Sequence, residues 1–232
     1  MKQYNGEKAI ISLTSWKARI KTVSKTIYSL IQKCPDFHIV LVLSEEEFPQ
    51  KEAELPDDLM LFVENDLIEI LWVYKNYKSF KKVLFTMDKY RDVPVISADD
   101  GQMYLDNFAG KLYSIWDKHR TYIISNSQFN YRGIKFGCGC RGILYPPYCF
   151  GEDGIKHLKN EIIATNHDDA YMGILSACLG IPWYFINKVN VRKNNFKVFT
   201  NDEKSGLTYN HKFRNSDCKL IFRIIKNEFN SK

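Results

Sequence analysis

The sequence predicts an α/β protein: a mainly parallel central sheet flanked by helices. Short β-branched runs alternate with longer amphipathic runs through the first 125 residues, and that alternation builds parallel strands joined by crossover helices. The chain has 232 residues, 45% of them hydrophobic and 14% aromatic, which is enough to bury one sizeable core. No low-complexity run and no internal repeat breaks the pattern.

The elements follow in order. Residues 9–13 form the first strand, and residues 20–34 carry a helical apolar period. Strands are expected near 38–43, 68–73, 93–97 and 122–125, with helices near 79–90 and 103–119. Beyond Ser125 the pattern changes to short pieces rich in Gly and Tyr as far as Phe150. A helix then runs from Asp168 to about Leu179, and residues 181–186 make a late strand. These elements divide into one α/β domain over 1–187 and a basic tail over 188–232.

The chemistry concentrates where the run 94–100 stops in Asp99 and Asp100. Adjacent carboxylates at the carboxyl end of a strand repel and need compensation. A divalent cation supplies it well, because Mg²⁺ and Mn²⁺ take oxygen ligands and bridge carboxylates to a diphosphate. The plainer alternative is that the pair caps a following helix, since Gln102 to Asp106 looks helical.

Asp168 and Asp169 follow Thr165-Asn166-His167 and open an apolar helix. They serve either as a helix cap or as a general base. Lys78, Lys81 and Lys82 surround a helix start, a place the helix dipole disfavours for cations, so the cluster marks either an anion nearby or a solvated face. Arg19, in Thr14-Ser15-Trp16-Lys17-Ala18-Arg19, can fork onto a phosphate. Three glycines at 137, 139 and 142 precede Tyr145-Pro146-Pro147. They let backbone approach a ligand and offer an aromatic for sugar stacking, although a turn between packed strands explains them nearly as well.

Six cysteines are scattered without zinc-ligand spacing, as expected of thiols in a reducing compartment. Cys138 and Cys140 are two apart, and on a strand they would share one packed layer. The polar start and the lack of a bilayer-length apolar run predict a cytoplasmic protein. From residue 188 onward there are eleven Lys or Arg against four acids, whereas the whole chain is only +6. Lys219, Arg223 and Lys226 share a helical face there, beside Ile221, Phe222, Ile224, Ile225 and Phe229. That helix suits an anionic membrane surface and equally docking on the core, and the one does not exclude the other.

Five segments, 9–19, 78–82, 95–100, 137–147 and 166–171, together resemble a small GT-A-type glycosyltransferase of bacterial surface-polysaccharide (capsule or O-antigen) biosynthesis. The resemblance implies a nucleotide-diphosphate sugar donor, a UDP-sugar by preference, and a glycan acceptor that is lipid-linked at the inner membrane face. It divides the domain into a nucleotide-sugar half (1–125) and an acceptor half (126–187). It places Thr14, Ser15, Arg19, Lys78, Lys81, Asp99 and Asp100 at the donor. Asp168 and Asp169, not distinguished from one another, stand at the base of an inverting transfer, and Gly139, Arg141 and Tyr145 at the acceptor. It also implies Mn²⁺ or Mg²⁺ held by an acidic motif whose third carboxylate is here Gly101. Either Asp100 carries the metal with Asp99 and a distant histidine such as His211, or metal binding is weak or absent. A nucleotidyltransferase acting on sugar phosphates would use similar acids, but Thr14 to Arg19 lacks the expected glycines. A nucleic-acid-binding module would fit the sequence pI of about 8.8, yet no such signature is present and nucleic acid is not an expected partner.

Overall fold

The computed structural model of the protein describes residues 3–186, 196–198 and 215–230. Its first half alternates β1 (Ile10–Thr14), α1 (Val23–Lys33), β2 (His38–Ser44), α2 (Asp57–Glu64), β3 (Glu69–Val73), α3 (Lys81–Lys89) and β4 (Val95–Ser97). After β4 come β5 (Gln102–Tyr104), α4 (Phe108–Trp116), β6 (Ile123–Ser125), the hairpin β7 (Phe129–Tyr131) and β8 (Ile134–Phe136), and β9 (Ile143–Tyr145). Three helices, α5 (Asp153–Lys156), α6 (Asn160–Thr165) and α7 (Asp168–Cys178), then lead to β10 (Trp183–Phe185). β11 (Phe196–Val198) and α8 (Asn215–Asn230) complete the described chain.

The central sheet has seven strands in the order β10-β6-β9-β4-β1-β2-β3. All its pairings are parallel except those of β9, which runs antiparallel to both β4 and β6. The inner strands are buried on both faces, and alternate side chains sort accordingly. Ile11, Leu13, Ile39 and Leu41 join the core beneath α1, whereas Ile10, Val40 and Val42 face the opposite layer. Helix α1 contributes Val23, Ile27 and Leu30 at the i, i+4, i+7 spacing of an apolar stripe.

The segment after the acidic pair corrects the expectation of a long helix over 103–119. Gln102–Tyr104 is a strand that buries Gln102 and Tyr104 and pairs antiparallel with β11. The helix begins only at Phe108, where the Asn107 side chain accepts the Gly110 N–H at 2.7 Å. A capping side chain that close fixes the start more firmly than the apolar period before it.

Helix α8 settles how its apolar residues are used: Cys218, Ile221 and Ile225 are fully buried in the core shared with α7. Lys219, Arg223 and Lys226 are exposed on its outer side. His157 pairs with Glu228, and His167 Nε2 lies 3.1 Å from Asp217 Oδ2. Replacing Ile221 with Ala should therefore cost about 3 kcal/mol of stability, measured by urea denaturation, because the cavity cannot collapse between two helices.

At the amino ends of β2 and β3, Glu69 is buried and receives His38 Nε2 at 2.8 Å, Lys89 Nζ at 2.8 Å and Tyr90 Oη at 2.5 Å. Burial alone would raise its pKa, but hydrogen bonds from His38, Lys89 and Tyr90 together with the Lys89 charge overcome that and bring it down to about 2. A depressed carboxyl contributes stability above its unfolded pKa and loses it as the pH falls toward the folded value. Stability should thus drop between about pH 4.5 and pH 2 on this account, and Glu69→Gln should flatten that part of the curve in acid titrations followed by circular dichroism.

Candidate active site

Strands β1 and β4 lie side by side with Ser12 opposite Ser97. Their continuations, Thr14-Ser15 and Asp99-Asp100, therefore emerge at one edge of the sheet. The chain passes from β1 to β2 and β3 on one side and returns to β4 on the other. The order of strands thus reverses between β1 and β4, which is where open α/β sheets bind ligands beyond their carboxyl ends. A cleft of about 580 Å³ opens there.

Asp100 sits on the floor at 6% exposure. Its Oδ1 accepts from Arg19 Nη1 at 2.6 Å and its Oδ2 from the Ser15 hydroxyl at 2.8 Å, while Thr26 Oγ1 donates to its backbone carbonyl at 2.9 Å. Burial nevertheless raises the Asp100 pKa against the pull of Arg19 and Ser15. The Asp99 backbone N–H donates to Tyr104 Oη at 3.0 Å, which fixes the turn from β4 into β5.

Lys82 joins the two acidic pairs. Its Nζ lies 2.9 Å from Asp99 Oδ1 and 3.0 Å from Asp168 Oδ2. Desolvation works against the charged ammonium, but Asp168, Asp99 and Asp169 outweigh it and hold its pKa well above the ordinary lysine value. The neighbouring Lys81 turns elsewhere: it is 1% exposed and pairs with Glu47 Oε2 at 2.9 Å. For Lys81, burial prevails over the Glu47 charge and lowers the pKa.

Asp168 and Asp169 open α7 but differ in surroundings. Asp168 is tied to Lys82, whereas Asp169 Oδ1 accepts the Gly139 N–H at 2.9 Å. Burial, followed by the Asp168 charge, pushes the Asp169 pKa up to about 7 even though Lys82 and the Gly139 N–H oppose the rise. A Cβ at Gly139 would stand 2.9 Å from Asp169 Oδ1 and 3.3 Å from Lys82 Nζ, so a larger residue would have to displace these charged groups.

Of the residues singled out in the sequence, Thr14, Ser15, Arg19, Lys78, Lys81, Asp99, Asp100, Arg141, Asp168 and Asp169 all line the cleft. Gly139 meets it through Asp169. Tyr145 does not: it is 1% exposed within β9 and packs against Phe150, so it has no face to offer a sugar. His211 lies outside the described residues. Cys138 and Cys140 are also placed differently from expectation. Cys138 is extended just before a 3-10 turn over Gly139–Arg141, and the two thiols converge to 2.9 Å at the cleft wall rather than in a packed sheet layer. Two of the glycines in this segment answer to packing, because a Cβ at Gly137 or Gly142 would strike Ser125 or Phe108.

The sequence did not single out Lys82 from its neighbours, nor Glu47, Asn76, Asn166 or His167, which line the same cleft. The available signal for Lys82 was its place in the first turn of a helix, where a cation needs a counterion. Nor does the acidic pair offer a ready metal-ligand set. One oxygen of Asp99 is engaged by Lys82 and both Asp100 oxygens accept from Arg19 or Ser15, and among the described residues no group of three or more His, Cys, Asp or Glu converges as metal ligands.

No protein-family model matches the sequence, and no curated protein matches it significantly. Among solved structures, the fold is similar to the mannosyltransferase PcManGT from Pyrobaculum calidifontis in complex with GDP-Man and Mn²⁺, at TM-score 0.50 and 11% identity. The match covers 78% of this chain and 55% of that one. The glycosyltransferase GlyE of Streptococcus pneumoniae aligns at TM-score 0.41 and 16% identity, over 66% of this chain and 38% of that one. The chain thus spans about half the length or less of these proteins, and the first likeness is one of fold: a mixed α/β architecture with a mostly parallel central sheet flanked by helices, as in glycosyltransferases.

Proposed function

We propose that the protein is a glycosyltransferase that moves a sugar from a nucleoside-diphosphate sugar to a hydroxyl of a glycan acceptor. The observation that carries this reading is the meeting of Asp99, Asp168 and Asp169 around Lys82 at the switch point of a glycosyltransferase-like sheet. The Pyrobaculum protein binds GDP-Man, which supports a nucleotide-sugar donor; a UDP-sugar is the alternative that the sequence resemblance favours. A lipid-linked acceptor at the cytoplasmic membrane face belongs to the same reading.

In this reading the donor diphosphate lies against Arg19, Lys78 and Lys82, whose hydrogen bonds stabilise the negative charge that grows on the leaving group. Thr14 and Ser15 at the end of β1 line the donor side, and Arg141 lines the acceptor side. Asp169 is the general base. It takes the proton of the acceptor hydroxyl as that oxygen forms its bond to the anomeric carbon on the opposite face. The bond from that carbon to the diphosphate oxygen breaks, its electron pair leaves with the diphosphate, and the configuration inverts. A base serves best when its pKa lies near the working pH, and Asp169, pushed up to about 7, meets that condition, whereas Asp168 is held in an ion pair with Lys82. The manganese of the Pyrobaculum complex is not carried over, since Asp99 and Asp100 are already engaged by Lys82 and Arg19.

A screen of UDP- and GDP-sugars for turnover, with and without oligosaccharide acceptors, tests the reading; release of no nucleoside diphosphate from any of them would overturn it. Asp169→Asn should lower kcat by about 10²-fold or more while donor affinity holds, as expected for loss of a general base. For the unaltered enzyme, kcat should fall as the pH drops below about 7, because the base becomes protonated. A pH-independent kcat between pH 5 and 8 would remove Asp169 from that role.

A further inference from the structure

We propose that Lys82 and Arg19 take the charge-balancing place of a divalent cation in this cleft, so that a nucleoside diphosphate binds here without metal. The inference rests on the donor reading above and adds how the diphosphate charge is met. A divalent cation needs oxygen lone pairs from the protein, and it commonly bridges one or two carboxylates to the phosphates. Here one oxygen each of Asp99 and Asp168 and both oxygens of Asp100 already accept from neighbouring side chains. Lys82 Nζ bridges Asp99 and Asp168 at 2.9 and 3.0 Å. Arg19 Nη1 and the Ser15 hydroxyl take one oxygen each of Asp100, at 2.6 and 2.8 Å. To reach Asp100, a metal would have to displace a guanidinium from a carboxylate with 6% exposure, and the stranded charges would carry a heavy desolvation cost.

Gly101 belongs to the same arrangement. A Cβ at that position would stand 2.7 Å from Arg19 Nη2 and 3.1 Å from Cζ. The residue that withholds a third carboxylate is therefore the one that leaves room for the guanidinium. A side chain at this position would therefore have to push the Arg19 guanidinium aside before a third carboxylate could serve a metal. Arginine keeps its charge at any working pH and presents a planar fork suited to phosphate. An ammonium has three donors, two of which Lys82 spends on Asp99 and Asp168, leaving one to meet a diphosphate oxygen. Lys78 and Arg141 add further positive charge to the cleft wall.

Calorimetric titration of the full chain with UDP and with GDP, in EDTA and in millimolar Mn²⁺, tests the inference. At least one nucleotide should bind in EDTA, with an affinity that changes by less than about tenfold when Mn²⁺ is supplied. Lys82→Met should weaken that binding by about tenfold or more in EDTA. Because removal of Lys82 can unfold the acidic cluster, a second measurement uses the unaltered protein: the electron paramagnetic resonance signal of Mn²⁺ alone should not be depleted by an equimolar amount of protein. Binding that requires Mn²⁺, an affinity that rises by about tenfold or more with it, or stoichiometric loss of the Mn²⁺ signal would overturn the inference and leave the donor reading intact. Binding of neither nucleotide in either buffer would overturn the donor reading, and this inference with it.

Discussion

One buried ammonium ties together the parts of this protein that meet at the cleft. Lys82 begins on α3, contacts Asp99 beyond β4 and Asp168 at the start of α7, and lies near Asp169. It therefore links the first βαβ half to the helical second half through charge. Removing it would leave carboxylates buried without a counterion, the circumstance in which breaking an ion pair costs most. The same helix start sends Lys81 away from this cluster to Glu47, so two adjacent lysines balance two separate sets of acids. The α3 backbone is held in register as well: the Ser12 hydroxyl of β1 donates to the Lys82 carbonyl and bonds Thr86 Oγ1 at 2.7 Å.

That arrangement gives the site its chemical contrast. Asp168 and Asp169 are neighbours in sequence, yet one pairs with Lys82 and the other accepts the Gly139 backbone N–H. Two carboxylates with separated environments are what acid and base roles require, since like charges at close range cannot both ionise freely. Gly139 makes the difference possible by bringing its N–H to Asp169 without a side chain in the way. The Cys138 and Cys140 thiols sit on either side of that glycine, and the hydrogen bond with the Cys140 thiol, followed by burial, keeps Cys138 well above the ordinary thiol pKa.

The second half of the chain is held by packing as much as by charge. β9 runs against the direction of its neighbours and so carries the chain from the 3-10 turn at Gly139 back along the sheet between β4 and β6. Tyr145 is buried as a result, and its ring becomes part of the core. Helix α8 closes the same core with Cys218, Ile221 and Ile225, and its Asp217 reaches His167, the residue that precedes the acidic pair of α7. The base of the cleft therefore rests on a helix drawn from the far end of the sequence.

The sequence by itself determined the alternating frame, because apolar periods of two and of 3.6 residues are local properties. It located β1, β2, β3, β4 and α1 to within a few residues. It also marked Asp99, Asp100, Asp168 and Asp169, since paired acids at the ends of apolar runs are visible without coordinates. The tertiary structure alone decided which cation each acid meets. Arg19 and Asp100 are separated by 81 residues and Lys82 and Asp168 by 86, and no local rule connects positions so distant. It also decided that Gln102–Tyr104 is a strand, because the pairing of β5 with β11 and the burial of Tyr104 override a weak helical period. The fate of Tyr145 and of α8 was settled in the same way: burial depends on which surfaces arrive opposite one another, and that is a property of the assembled chain.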